Sequence, residues 1–254
     1  MGAGHHHTLH RPGDTPVHRL PPQCKLAAVA AFAIVVVATP RTAVWAFAAY
    51  AALLAAVAAI ARIPPGFVLR RMAIEIPFVL FAFALPVIGL GERVEVAGLS
   101  LSVEGLWAAW NILAKATLGV VASILLAATT EPRLILVGAR RLRLPPLLVQ
   151  IAMFMLRYLD VILDEMRRMR VARESRGFVA RDLRAAPVLA RSAGALFIRS
   201  YERGERVHLA MLSRGYTGSM PVLDDRPVPA AAWAAALSLP AAAAVAAALA
   251  WTLG

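Results

Sequence analysis

Cysteine is nearly absent from this 254-residue chain. The one present, Cys24, excludes an intrachain disulfide and argues against a Cys-based metal site. Acidic residues are also few, 15 against 27 Lys and Arg, for a formal net charge of +12. No Gly-rich loop leading into Lys-Ser/Thr occurs, so the chain is not expected to hydrolyse ATP itself. His-Glu-x-x-His and Gly-x-Ser-x-Gly are missing too, and no catalytic set takes their place. The first twenty-odd residues hold no early apolar run, so no cleavable signal peptide is apparent.

Apolar sequence is abundant. Hydrophobic residues make up 60% of the chain, more than a soluble domain normally carries. They cluster in blocks near the roughly 20 residues that cross a bilayer as helix. The blocks are Leu26–Ala38, Ala43–Ala61, Met72–Leu90, Leu106–Ala128 and Val228–Leu253. The first is short and reaches spanning length only if Lys25 snorkels and Gln23 and Thr39 are included. Pro40-Arg41 and Arg62-Ile-Pro-Pro-Gly66 mark breaks. Pro77 and Pro86 lie inside the third block, where neighbouring helices must accommodate them. Many Ala and Gly residues allow close backbone approach, which drives helix association in lipid. The expected fold class is an all-α polytopic membrane protein of about five spans with long amphipathic helices.

Charge orients the spans. Of the basic residues, 18 lie in 132–227 with nine acidic ones, a net +9. A nucleic-acid reading of that charge is possible, but basic residues collect on the cytoplasmic side of membrane proteins, and that reading is preferred. Arg62, Arg70 and Arg71 share a side with Arg133, Arg140, Arg141 and Arg143. The loop with Arg93 faces the other way, which puts the N-terminus in the cytoplasm. The organisation is then a His-rich tail (1–22), four spans (23–130), a cytoplasmic helical segment (131–227) and a last span (228–254). The tail carries His5, His6, His7, His10 and His18, a weak compositional hint of metal affinity.

The cytoplasmic segment reads as two amphipathic helices. Leu148, Ala152, Met155, Leu159, Ile162, Met166 and Met169 form a heptad-like seam opposite Arg157, Asp164, Arg167, Arg168, Arg170 and Arg173. A helix from about Leu148 to Arg176 would be roughly 43 Å long. Pro187 suits the first turn of a second helix, whose buried stripe is Leu189, Ala193, Leu196, Phe197, Tyr201, His208 and Met211. Both are expected to be too charged to span, and to lie on the membrane face and against each other.

Each helix ends on the same words. Ala172-Arg-Glu-Ser-Arg-Gly-Phe178 and Ala210-Met-Leu-Ser-Arg-Gly-Tyr216 share Ala-x-x-Ser-Arg-Gly-aromatic. Gly177 and Gly215 fall where a helix turns left-handed, and the following aromatic can fold back on the last turn. An Arg at a helix end normally only complements the dipole. Its repetition in one motif instead suggests two similar docking sites on a partner present in two copies. Guanidinium groups suit such sites, with five donors in a rigid fork.

Glu75 and Lys115 are the ionisable groups inside apolar blocks, where such residues are functional suspects. Glu75 has Arg71 one turn away, an ordinary i,i+4 pair. Lys115 is deeper, with Asn111 on its face, and helix–helix contact or a small wet pocket accounts for it. A membrane enzyme using Glu75, Lys115 or the His tail would need a convergent polar cluster, and none is visible. A self-sufficient carrier or channel would have only Asn111, Lys115, Thr117, Ser123 and Glu75 as lining.

With these residues in place, the chain resembles the transmembrane T component of energy-coupling factor transporters, most closely the cobalt-type CbiQ subgroup. The resemblance runs through His18-Arg-Leu-Pro-Pro-Gln-Cys-Lys-Leu26, Thr129-Thr-Glu-Pro132, Leu142-Arg-Leu-Pro145 and Arg157-Tyr158 to the two Arg-Gly motifs. The family's usual Ala-Arg-Gly appears here with Ser175 and Ser213 in place of Ala. The resemblance implies ATPase-coupling roles for Ser175, Arg176, Gly177, Ser213, Arg214 and Gly215. It implies a non-catalytic scaffold in a bacterial cytoplasmic membrane, with no cofactor or metal of its own and no nucleic-acid partner. Two cytoplasmic ATPases would hold the ATP, and a substrate-binding membrane S component would take up Co²⁺ or Ni²⁺. A T component of a vitamin-type transporter is the alternative.

Overall fold

The computed structural model describes residues 10–89, 92–96, 99–178, 182, 185–218 and 227–253. His5, His6 and His7 lie outside them. The chain divides into two compact units: one within Arg143–Arg226, the other within His7–Leu142 and Pro227–Gly254.

The second unit carries the predicted spans. A single turn, α1 (Pro16–Arg19), leads into α2 (Pro22–Ala38), α3 (Val44–Ile60) and α4 (Pro65–Arg71). A 3₁₀ turn (Met72–Glu75) joins α4 to α5 (Ile76–Ile88). Then come β1 (Arg93–Val96), β2 (Leu99–Ser102), α6 (Val103–Thr129), α7 (Pro132–Arg141) and, after the other unit, α10 (Ala230–Leu253). The predicted third span starts earlier than its apolar block. Pro64-Pro65 opens it because proline is tolerated in a first turn, so Arg70 and Arg71 lie inside the helix instead of before it. Two elements escaped the sequence reading. The segment read as polar loop holds the antiparallel hairpin β1–β2, in register Arg93↔Ser102 and Val96↔Leu99. The arginine-rich stretch after the fourth span is helix α7.

Aromatic and small residues fill the core of this unit. Phe32 and Val36 of α2 meet Phe47, Tyr50 and Leu54 of α3, Leu118, Ala122 and Leu125 of α6, and Ala243 and Ala250 of α10. Tyr50 is fully enclosed. Its ring sits edge-on to Phe32 and Phe47, and its hydroxyl shares a 2.8 Å hydrogen bond with Thr39. Small residues let α10 lie close: Ala236, Ala243 and Ala250, one every two turns, are all buried. The outside is as apolar as the inside. Ile34, Leu80, Phe83, Ile88 and Trp251 are each at least two-thirds exposed, a surface that hydrocarbon accommodates and water does not.

Gly138 of α7 marks a tight approach in this unit that a substitution can test. A Cβ there would lie 2.9 Å from the backbone nitrogen of Gln23 and from the carbonyl carbon of Pro22. Backbone cannot swing aside as a side-chain tip can. Gly138→Ala is therefore expected to destabilise the unit by about 1–3 kcal/mol through overpacking. The check is thermal unfolding in lipid, with Gly119→Ala as control, since a Cβ at Gly119 meets nothing within 4 Å.

The unit within Arg143–Arg226 consists of α8 (Pro146–Glu174) and α9 (Ala186–Leu212). They run antiparallel: Glu165 of α8 pairs with Arg199 of α9, and Gln150 near the start of α8 hydrogen-bonds Tyr216 just beyond the end of α9.

Three expectations need correction here. Among the described residues, four helices are long and apolar enough to cross a membrane: Pro65–Ile88, Val103–Thr129, Pro146–Glu174 and Ala230–Thr252. So α8 is not excluded from spanning by its charge. Its charges crowd into Asp164–Glu174, while Pro146–Leu163 carries only Arg157 and Asp160. Conversely, α2 and α3 have 17 residues each, about 26 Å of helix. Last, the predicted seams are only in part what α8 and α9 turn toward each other: Ile162, His208 and Met211 line the cleft between them, and the other seam residues do not. Leu148, Met155 and Met166 stand half or more exposed, as do Phe197 and Tyr201. The facing surfaces are Phe154, Tyr158 and Ile162 on α8, and Gly204, Val207 and Met211 on α9. A hydrophobic stripe records which face avoids water; it does not name what that face meets.

Candidate functional site

The two Ser-Arg-Gly motifs form the same structure twice. At the end of α8, Gly177 takes φ +77°. Its N–H donates to the Glu174 carbonyl at 3.0 Å, and the Phe178 N–H donates to the Arg173 carbonyl at 3.1 Å. At the end of α9, Gly215 takes φ +81°. Its N–H donates to Leu212 at 3.0 Å, and Tyr216 donates to Met211 at 3.1 Å. Both are Schellman closures with the aromatic folded back, as the motif predicts. The serines repeat as well: the Ser175 hydroxyl donates to the Ala172 carbonyl at 3.1 Å, and the Ser213 hydroxyl to the Ala210 carbonyl at 3.0 Å.

These closures leave the arginines at the tips. Ser175, Arg176, Gly177, Ser213, Arg214 and Gly215 are all exposed. Among the described residues, neither the Arg176 nor the Arg214 side chain has a hydrogen bond or ion pair. Their neighbours differ: Arg170 bonds Glu174 at 2.7 Å, and Arg168 and Arg199 share Glu165. The helix pair thus presents two matching capped ends whose guanidinium groups have no partner among the described residues. With Tyr216 tied to Gln150, the tips stand roughly 39 Å apart along α8 at 1.5 Å per residue.

The glycines are required for φ, not for space. A Cβ at Gly177 or Gly215 meets nothing within 4 Å, but left-handed backbone costs a residue with Cβ about 1–2 kcal/mol. Gly177→Ala or Gly215→Ala is expected to loosen its own helix end by about that amount and leave the rest of the fold intact. Amide exchange confined to the last turn of the altered helix is the measurement; exchange spreading through α8 and α9 would contradict it.

Two of the segments that carry the family resemblance, 18–26 and 129–132, come together in the membrane unit. Lys25, expected to snorkel, is buried instead. Its ammonium donates to the Thr129 carbonyl at 2.9 Å, the Thr130 hydroxyl at 3.1 Å and the His18 carbonyl at 3.2 Å. Thr129 ends α6, so the cation sits at the negative end of that helix. Glu131 and Pro132 then start α7. His18 is held between the Thr15 hydroxyl at 2.7 Å and the Arg11 carbonyl at 3.2 Å. Burial lowers its pKa below the ordinary histidine value. Leu142-Arg-Leu-Pro145 connects α7 to α8, and Tyr158 stacks on Phe154 with centroids 6.4 Å apart.

The intramembrane polar residues do not converge. Glu75 is buried at the 3₁₀ turn and accepts a hydrogen bond from the Thr117 hydroxyl, while the Arg71 guanidinium lies 3.6 Å over the Phe67 ring. Lys115 donates to the Val37 carbonyl at 2.8 Å, capping the end of α2. Each ties one helix to another. Among the described residues, no group of three His, Cys, Asp or Glu could hold a metal ion.

A multi-pass helical membrane protein that offers two matched, free-arginine helix ends is the class these observations define. Residues 13–223 match the CbiQ cobalt transport protein family, and the chain belongs to that family. Three relatives are similar to it. An uncharacterized protein of Methanocaldococcus jannaschii is 36% identical over 42% of this chain and 40% of its own length. The cobalt transport protein CbiQ of Rhodobacter capsulatus is 27% identical over 65% of the chain and 66% of its own length. The energy-coupling factor transporter transmembrane protein EcfT of Bacillus selenitireducens is 29% identical over 82% of each.

Proposed function

We propose that this chain is the transmembrane coupling subunit of an energy-coupling factor importer, inserted with its N-terminus and its two Ser-Arg-Gly tips in the bacterial cytoplasm. Each Ser-Arg-Gly tip seats in one of two cytoplasmic ATPases, which bind and hydrolyse ATP. Arg176 and Arg214 supply forked donors to carboxylates and carbonyls of that groove. The membrane unit transmits ATPase closure to a substrate-binding membrane subunit that releases the cargo. Cobalt, or nickel, is the cargo that the family membership favours, and neither ion resides in this chain. The duplicated capped end with its unpaired arginine carries the reading: a helix end that served only its own fold would not need two exposed copies of one motif.

The test is reconstitution in vesicles. The chain alone should show neither ATP hydrolysis nor Co²⁺ flux. Addition of the ATPases and the substrate-binding subunit should give ATP-dependent Co²⁺ uptake. Turnover or flux by the isolated chain would overturn the proposal.

A further inference from the structure

The two tips share backbone geometry but differ in how they are held. The motif aromatic is Phe178 after α8 and Tyr216 after α9. Only tyrosine carries a hydroxyl, and that hydroxyl is hydrogen-bonded to the Gln150 amide near the start of α8. The other polar tie is Glu165–Arg199, in which a carboxylate only 16% exposed binds Arg199 of α9 and Arg168 of its own helix. A cleft of about 330 Å³, lined by Phe154, Tyr158, Ile162, Gly204, Val207 and Met211, opens between α8 and α9. Over that stretch packing holds the helices weakly, so the ties set their relation. Arg214 lies two residues from one of them. Arg176 stands about 16 Å of helix beyond Glu165, and among the described residues no hydrogen bond or ion pair joins that stretch of α8 to α9.

We infer that the two coupling ends are mechanically unequal. The Arg214 end is a fixed pivot, anchored by Tyr216 to the base of α8. The Arg176 end is a free arm. Tyr216 and Gln150 are positioning residues that keep the Arg214 tip still while an ATPase moves against it. This rests on the coupling role proposed above. In the transport cycle, a pivot lets force applied at the Arg176 end turn the helix pair as a lever; without it the pair would yield at both ends and ATP would be consumed with little movement of cargo.

Amide exchange on the full chain in lipid nanodiscs tests the anchoring. In the unaltered protein, exchange in the last turn of α9 should be several-fold slower than in the last turn of α8. Tyr216→Phe should bring the α9 end up to the α8 rate and leave α8 unchanged. Gln150→Leu should do the same, while Gln150→Glu, which replaces the amide donor with a carboxylate to which the phenol O–H can donate instead, should retain protection. In the assembled transporter, Tyr216→Phe should keep full ATPase capture but lower Co²⁺ uptake per ATP several-fold. Equal exchange at both ends of the unaltered chain, or unchanged uptake per ATP in Tyr216→Phe, would overturn the inference. Failure of the unaltered chain to capture ATPases would instead sink the coupling role, and the exchange comparison would stand apart from that result.

Discussion

Arg176→Ala combined with Arg214→Ala should abolish ATPase capture and metal uptake while the protein still inserts and folds. The structure supplies the second half of that expectation, and the proposed coupling role supplies the first. Both side chains are exposed and unpaired among the described residues, so their removal breaks nothing inside the chain; surface substitutions of this kind normally shift stability by no more than about 0.5 kcal/mol. Under the proposed coupling role, each guanidinium would become buried against an ATPase in the complex. Truncating one partner of such a contact costs about 2–5 kcal/mol, a loss of roughly 30-fold to several thousand-fold in affinity per site. Copurification of the ATPases with tagged chain measures the first effect, and unfolding in lipid the second. Each single variant should lose one ATPase site. A double variant with normal uptake would end the account.

Lys25→Met should be the most damaging single change within the membrane unit. The ammonium satisfies the Thr129 carbonyl, the Thr130 hydroxyl and the His18 carbonyl at once. A methionine of similar size fills the space but donates nothing. Three buried acceptors lose their donor, and each unsatisfied group costs about 1–3 kcal/mol before any water enters. Part of that loss is offset, because the cost of burying the ammonium disappears too. A net destabilisation of about 2–4 kcal/mol is expected, together with faster amide exchange in residues 10–20, whose link to the end of α6 runs through this contact and the 2.9 Å bond from the Arg11 N–H to the Ala128 carbonyl. Unchanged exchange there would show that the lysine is not the link.

The helices were legible in the sequence because lipid makes their signal strong. Long, predominantly apolar runs set α6 and α10, and the Ser-Arg-Gly-aromatic words set the ends of α8 and α9, since left-handed closure needs glycine at one position. The partners of polar groups were not legible. Lys25 stands in an apolar block with no carboxylate nearby in sequence; its acceptors are a hydroxyl and two backbone carbonyls, one of them more than a hundred residues away, and carbonyls leave no trace in composition. The α8–α9 interface failed for a related reason. Leu148, Met155 and Met166 of the apolar seam are exposed, whereas Gln150–Tyr216 and Glu165–Arg199 join the helices through polar groups. The hairpin β1–β2 was missed because four-residue strands are too short to show a clear alternation, and α7 because its arginines dominated the reading of that stretch.

Site-specific photocross-linking tests the central claim most directly. A photoreactive amino acid placed at Ser175 or at Ser213 in the assembled transporter should join each tip to an ATPase subunit, and the adducts should disappear when the adjacent arginine is changed to alanine. Adducts formed only within the chain itself, or labelling of either tip from the exterior face of intact cells, would contradict a coupling role for these two helix ends.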